Sequence, residues 1–102
     1  MGYKHFRISR QAKTAKKPLM ATALQYEAEK DNAPKVIASG QRNIAEQILA
    51  EARKHNIPIH EDPDLTMALA SVDLGEEIPV ELYHVVAEVL AYIYRVTNAY
   101  SK

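Results

Sequence analysis

Cysteine is absent from this chain of 102 residues, which excludes a disulfide scaffold, a thiolate zinc site and a cysteine nucleophile together. Glycine is scarce. Gly2, Gly40 and Gly75 are the only three, and glycines so far apart cannot assemble a phosphate-cradling or dinucleotide-binding loop. No apolar run approaches the roughly 18–20 residues that a membrane span needs, and the basic, polar start has no hydrophobic stretch of the kind a signal peptide carries. The opening Met1-Gly2-Tyr3-Lys4-His5-Phe6 also lacks the Ser or Thr that a myristoylation signal requires. These absences point to a soluble, cytoplasmic protein without a lipid anchor. Acidic residues are missing from the first twenty positions.

What is present suits one folded domain. The chain is 47% hydrophobic and 25% charged, close to average globular usage and enough to bury a core. The net charge of zero hides a division. Lys4, Arg7, Arg10, Lys13, Lys16 and Lys17 give residues 1–20 a charge of +6, which leaves −6 on residues 21–102. A basic arm of this kind is expected to be a solvated leader or to fold back on its acidic domain. The alternative is an arm that grips nucleic acid or an anionic surface with strong salt dependence. Nucleic acid is disfavoured because Tyr3 and Phe6 are the arm's only stacking aromatics and no nucleic-acid motif accompanies them. The boundaries expected are a basic arm over 1–19, a domain over 20–98 and a tail over 99–102.

Hydrophobic periodicity supplies the elements. In Met20 to Tyr26, Thr22, Leu24 and Tyr26 share one face at period two, which predicts a strand. A charged turn over 27–33 leads to a second short run, Pro34 to Ala38, closed by Ser39-Gly40. Between Gln41 and His55, Ile44, Ala45, Ile48, Leu49 and Ala52 occupy one arc of an amphipathic helix, with Asn56 as a left-handed cap. Ile57-Pro58-Ile59-His60 reads as a third strand, and its proline favours an edge or a strand end. Asp62 is placed as the N-cap and Pro63 as the first residue of a helix burying Leu65, Ala68, Leu69 and Val72. Gly75 closes that helix or the turn after it. Pro79 begins the last and longest helix, with Leu82, Val85, Val86, Val89, Ile93 and Val96 as its buried stripe. Phe6-Arg7-Ile8-Ser9 alternates and is a candidate for one further strand. The order predicts an α/β fold, a small sheet of three or four strands flanked by helices, with a right-handed parallel crossover from the second strand through the 41–55 helix to the third. If Phe6–Ser9 does not join the sheet, one edge is left for a partner strand.

The residues offer little chemistry. His84 and Glu88 have the one-turn spacing of two metal ligands, but two ligands are not a site. His60-Glu61-Asp62 resembles an acid–base cluster in which Asp62 is already needed as a cap. Ser9, Ser39, Ser71 and Ser101 lack the context of an activated nucleophile. No catalytic residue, cofactor, metal or small-molecule substrate is expected. Tyr92 and Tyr94 most simply bracket the last buried stripe, although exposed tyrosines can be interface anchors, and no partner-binding residue is singled out.

Four stretches carry a resemblance. They are Ala21 to Tyr26, Ala33 to Gln41, Ile57 to Leu65, and Glu77 to Tyr83 running on to Ala87 through Tyr94. In this order and spacing they resemble the cytoplasmic C-terminal domain of the FlhB family, the export-switch component of the flagellar and type III secretion apparatus. Full-length members carry a transmembrane half and cut themselves between Asn and Pro of an Asn-Pro-Thr-His motif just before the first of these stretches. The attacking group is the asparagine side-chain amide, which closes on its own carbonyl carbon as a succinimide and releases the proline. Counting back without gaps from Tyr26, that motif's place is held here by Lys16, Lys17, Pro18 and Leu19, and Asn-Pro occurs nowhere in the chain. The resemblance therefore implies a stand-alone, non-catalytic relative without autocleavage. It is expected to bind export-apparatus proteins and export substrates and to take part in substrate-specificity switching. Met1 and the absence of tag residues favour a whole chain.

Overall fold

The computed structural model of the chain describes the backbone of residues 5–10, 18–27 and 29–100. Four strands form one sheet: β1 His5–Arg10, β2 Met20–Gln25, β3 Lys35–Gln41 and β4 Ile59–Glu61, in the spatial order β3-β2-β1-β4. β1 pairs antiparallel with β2, with Ile8 opposite Thr22, and parallel with β4, with Ile8 opposite His60. β2 pairs antiparallel with β3, and the register slips by one residue at Ala23/Leu24, so that Ile37 of β3 is the extra residue of a bulge. Three helices complete the fold: α1 Asn43–Lys54, α2 Pro63–Leu69 and α3 Tyr83–Tyr100, the last preceded by a single 3-10 turn at Val80–Leu82.

The sheet is buried on both sides, and the side-chain alternation of β2 divides the core. Leu24 joins Ile8, Val36, Leu65, Leu69, Ile78, Val86, Val89 and Ile93 on the face covered by α2 and α3. Ala21 and Ala23 point the other way and meet Ala45, Ile48 and Leu49 of α1. Small residues on that face let α1 lie close to the sheet. The α/β architecture is therefore helix on sheet on helix.

Several expectations hold at the level of single bonds. Asn56 adopts a φ of 57° and closes α1 as a Schellman motif, in which the Ile57 N–H donates to the Ala52 carbonyl at 2.8 Å and the Asn56 N–H to that of Arg53 at 3.3 Å. The Asp62 carboxylate accepts the Leu65 N–H at 3.0 Å, with Pro63 in the first turn of α2. Pro58 lies just ahead of β4, which is an edge strand. β3 and β4 both run parallel to β1, so the connection through α1 is a parallel crossover that passes over β2 and β1.

The candidate strand Phe6–Ser9 also holds: it lies inside the sheet, with β2 on one side and β4 on the other, and Ile8 finds a fully buried place there. Other expectations change. The condition for an open edge at that position is not met. Arg7 and Arg10 belong to this paired strand rather than to a free arm. α2 stops at Leu69, leaving Ala68 exposed and Val72 half-buried beyond the helix, while the buried residue that periodicity missed is Thr66, whose hydroxyl donates to the Asp62 carbonyl at 2.7 Å. On α3, Val96 is exposed although it continues the apolar stripe by spacing. Of the tail expected over 99–102, Ala99 and Tyr100 are the last residues of α3, so no boundary falls at 98, and residues 101–102 lie outside the described residues.

Candidate functional site

The residues after α2 form a strap along the outer side of β3. The Gly75 N–H donates to the Val36 carbonyl at 2.7 Å, the Val36 N–H to that of Glu76 at 3.0 Å, and the Ile78 N–H to that of Pro34 at 2.9 Å. Ile78 is buried beneath it. The strap delivers the chain to α3 beside the turn that joins β2 to β3, and that turn is itself tied: the Asp31 carboxylate accepts the Glu27 N–H at 2.9 Å, and the Asp31 N–H donates to the Glu27 carbonyl at 2.8 Å. Two rigid pieces thereby face each other across a cleft of ≈ 190 Å³. Asn32, Ala33 and Pro34 form one wall and Tyr83, Ala87 and Leu90 of α3 the other, with Tyr26 and Val86 between them.

The lining is apolar except for the Asn32 amide and the tyrosine hydroxyls. The α3 side is a face of the helix, since residues 83, 87, 90 and 94 recur at helical spacing. Tyr83 and Tyr94, at 39% and 43% exposed, stand at its two ends, and Val80 at 70% exposed lies beside its start. Such a groove, walled by aromatic and aliphatic carbon with one amide to orient a guest, suits an apolar side chain. Its size limits the guest to about one such side chain, whose burial contributes about 1.5–3 kcal/mol.

Of the residues read from the sequence as holding the place of the cleavage motif, Lys16 and Lys17 are outside the described residues, and Pro18 and Leu19 are half-buried and lead directly into β2, at the end of that strand away from this cleft. The Leu19 carbonyl accepts the N–H of Arg42 at 2.9 Å. Arg42 links β3 to α1 with φ 55° and ψ −117°, a conformation natural to glycine. Beside it, a side chain on Gly40 would overlap that of Ile44. The segment that follows the motif position is thus fixed against the start of α1.

The remaining candidates are dispersed. His60 stacks edge-on to Tyr92 with ring centroids 5.9 Å apart, and Asp62 is occupied as a cap. His84 Nε2 lies 3.2 Å from a Glu88 carboxylate oxygen, both side chains largely in solvent. Among the described residues no group of three potential metal ligands is brought together. The Ser39 hydroxyl lies 3.4 Å from that of Thr22, and the Ser71 hydroxyl donates to the Ala68 carbonyl. The sequence reading placed Ala33, Pro34, Ala87 and Leu90 in recognisable stretches but not in one site, because only the tertiary contact between the 27–34 turn and α3 makes them neighbours. Tyr92 is 49% exposed and lies outside the cleft, with His60 against its ring.

Comparison with known proteins agrees with this architecture. A sequence profile described as the FlhB HrpN YscU SpaS Family matches residues 19–93. The chain is 41% identical over 79 residues to the uncharacterized protein YlqH of Bacillus subtilis, covering 78% of this chain and 85% of that protein. It is 43% identical over 75 residues to the flagellar biosynthetic protein FlhB of Aquifex aeolicus, covering 72% of this chain but only 21% of that one. Among solved structures, the cytoplasmic domain of FlhB from Shewanella putrefaciens superposes with a TM-score of 0.80 at 29% identity, over 92% of this chain and 72% of that one. A single-residue variant of the EscU C-terminal domain superposes with a TM-score of 0.72 at 25% identity, over 84% and 76% of the two chains. No described helix is long and apolar enough to cross a membrane. With its profile spanning β2 to α3 and its fold shared with two such domains, the chain belongs to the FlhB HrpN YscU SpaS family.

Proposed function

We propose that this chain is a cytoplasmic, non-catalytic interaction module of the flagellar or type III export apparatus, and that it acts in substrate-specificity switching by seating apolar side chains of export substrates or export components in the cleft between Pro34 and Leu90. The observation that carries the reading is this preformed apolar cleft in a domain of the FlhB family. The energetics fit a carrier role. One anchored side chain contributes enough for about a 10- to 100-fold preference, which supports recognition yet allows release.

We further propose that the chain does not cut itself. The family's scission needs an asparagine amide at the bond ahead of β2, and the aligned Lys16 and Lys17 supply neither that amide nor the proline leaving group.

The test is genetic. The chain is expressed in a cell whose full-length FlhB has lost its C-terminal domain, and secretion of hook and filament proteins is scored. The reading predicts restored secretion, and its loss in an Ala87→Arg variant. Ala87 is exposed on α3, so an arginine there fills the cleft mouth without entering the core and keeps a good helix former in place. Absence of restoration by the folded, expressed wild type would overturn the proposal.

A further inference from the structure

The outer side of β3 has two halves. Along the first, the strap from Gly75 to Ile78 takes the backbone groups of Pro34 and Val36. Beyond the bulge at Ile37 the alternation resumes one residue later. The Arg42 N–H reaches back to Leu19 on the β2 side, so Gly40 and Ala38 also turn their backbone bonds towards β2, and Ser39 and Gln41 turn theirs outward. Among the described residues no backbone group takes these outward N–H and C=O groups.

They open onto a second cleft of ≈ 320 Å³. Ser39, Gly40 and Gln41 form its sheet side, and Val72, Asp73 and Leu74 its opposite wall. The strap's hydrogen bonds to β3 end at Gly75, where φ is +86°, and among the described residues no strand lies beside Ser39 and Gln41 on that side.

We propose that an extended segment of a partner protein, alternating apolar and basic residues, adds to β3 along Ser39 and Gln41 and lies in this second cleft. This goes beyond the first cleft, which takes side chains only. Unpaired main-chain groups in strand register select an extended backbone rather than a helix. Leu74, 64% exposed, and the half-buried Val72 offer apolar contact. Asp73 is exposed on the same wall, in a region 21–102 that carries −6, which favours a basic partner segment.

The probe is an acetylated, amidated hexapeptide alternating valine and lysine, added to the full chain and read by amide hydrogen exchange. The proposal predicts at least tenfold slower exchange at Ser39 and Gln41 on saturation, with Val36 unchanged because the strap already protects it. N-methylation of the peptide amides that face β3 should abolish the effect, and methylation of the opposite amides should not. Asp73→Lys, at an exposed position, should weaken binding severalfold at low salt and favour a glutamate-for-lysine peptide. Four results would overturn the proposal: no slowing at Ser39 and Gln41, slowing at Ile59–Glu61 instead, equal binding of both methylated peptides, or protection already present in the free chain, whether from the chain itself or, if it grows with concentration, from a second copy.

Discussion

Arg42 holds a backbone conformation that L side chains adopt at a cost of about 1–3 kcal/mol. Nothing at this residue repays that cost through its side chain: it is exposed, and it makes no side-chain cap for α1. Its N–H instead fixes Leu19 at the start of β2. Arg42→Gly removes the Cβ clash and keeps that hydrogen bond, at the expense of a more flexible unfolded chain worth about 0.4–1 kcal/mol. The variant should therefore be more stable by about 1 kcal/mol in urea unfolding; a loss of stability would show that the arginine side chain contributes in a way this geometry omits. Residues of this kind mark the limit of sequence reading. Asp62 and Asn56 were legible because each acts on backbone within four positions of itself. Gly40 was read as closing a strand that ends at Ala38, whereas it is paired with Ala21 inside β3, which runs to Gln41; the reason for a glycine there, the Ile44 side chain lying where a Cβ would be, appears only when α1 turns back over β3.

At the scale of elements, β1 was the hardest to read and matters most. Its alternation over Phe6–Ser9 is short and lies in a run of basic residues, so charge argues for an arm while periodicity argues for a strand. Burial decides the contest. Ile8 is fully enclosed, and among the described residues β1 is the only strand that joins β4 to the rest of the sheet. Truncating a fully buried isoleucine alone costs about 2–5 kcal/mol, and the whole strand also carries two ladders of hydrogen bonds. Deleting residues 1–10 should abolish the cooperative unfolding transition; a truncated chain that melts cooperatively at the wild-type temperature would contradict this placement. The helices were easier, since α1 and α3 each present a long apolar arc. Their limits were less so. Val96 continues the α3 pattern by spacing, yet it is exposed.

The whole molecule explains why the candidate site was only partly legible. The four stretches that resemble the FlhB family are also the stretches that build the sheet and its helices, so each has a structural reason to exist. The cleft arises from their packing: the strap carries α3 back beside the turn that follows β2, and only then do Pro34 and Leu90 face each other. The reading that Lys16, Lys17, Pro18 and Leu19 hold the place of the cleavage motif, by contrast, rests on residues alone, since an absent asparagine needs no geometry to be recognised. Freshly purified chain should accordingly show a single intact mass that does not change over days at neutral pH, and two fragments split near Lys17 would refute the absence of self-cleavage. The outer side of β3 escaped the sequence altogether, since a strand's free half depends on where another segment leaves it.

Whether the apolar cleft receives export-apparatus ligands is decided by titrating the isotopically labelled full chain with a purified hook-type export substrate and following its backbone amide shifts. Shifts centred on Asn32, Ala33, Ala87 and Leu90, and their loss in Ala87→Arg, are expected. No shift at millimolar substrate, or shifts confined to residues away from this cleft, would contradict that role for the cleft.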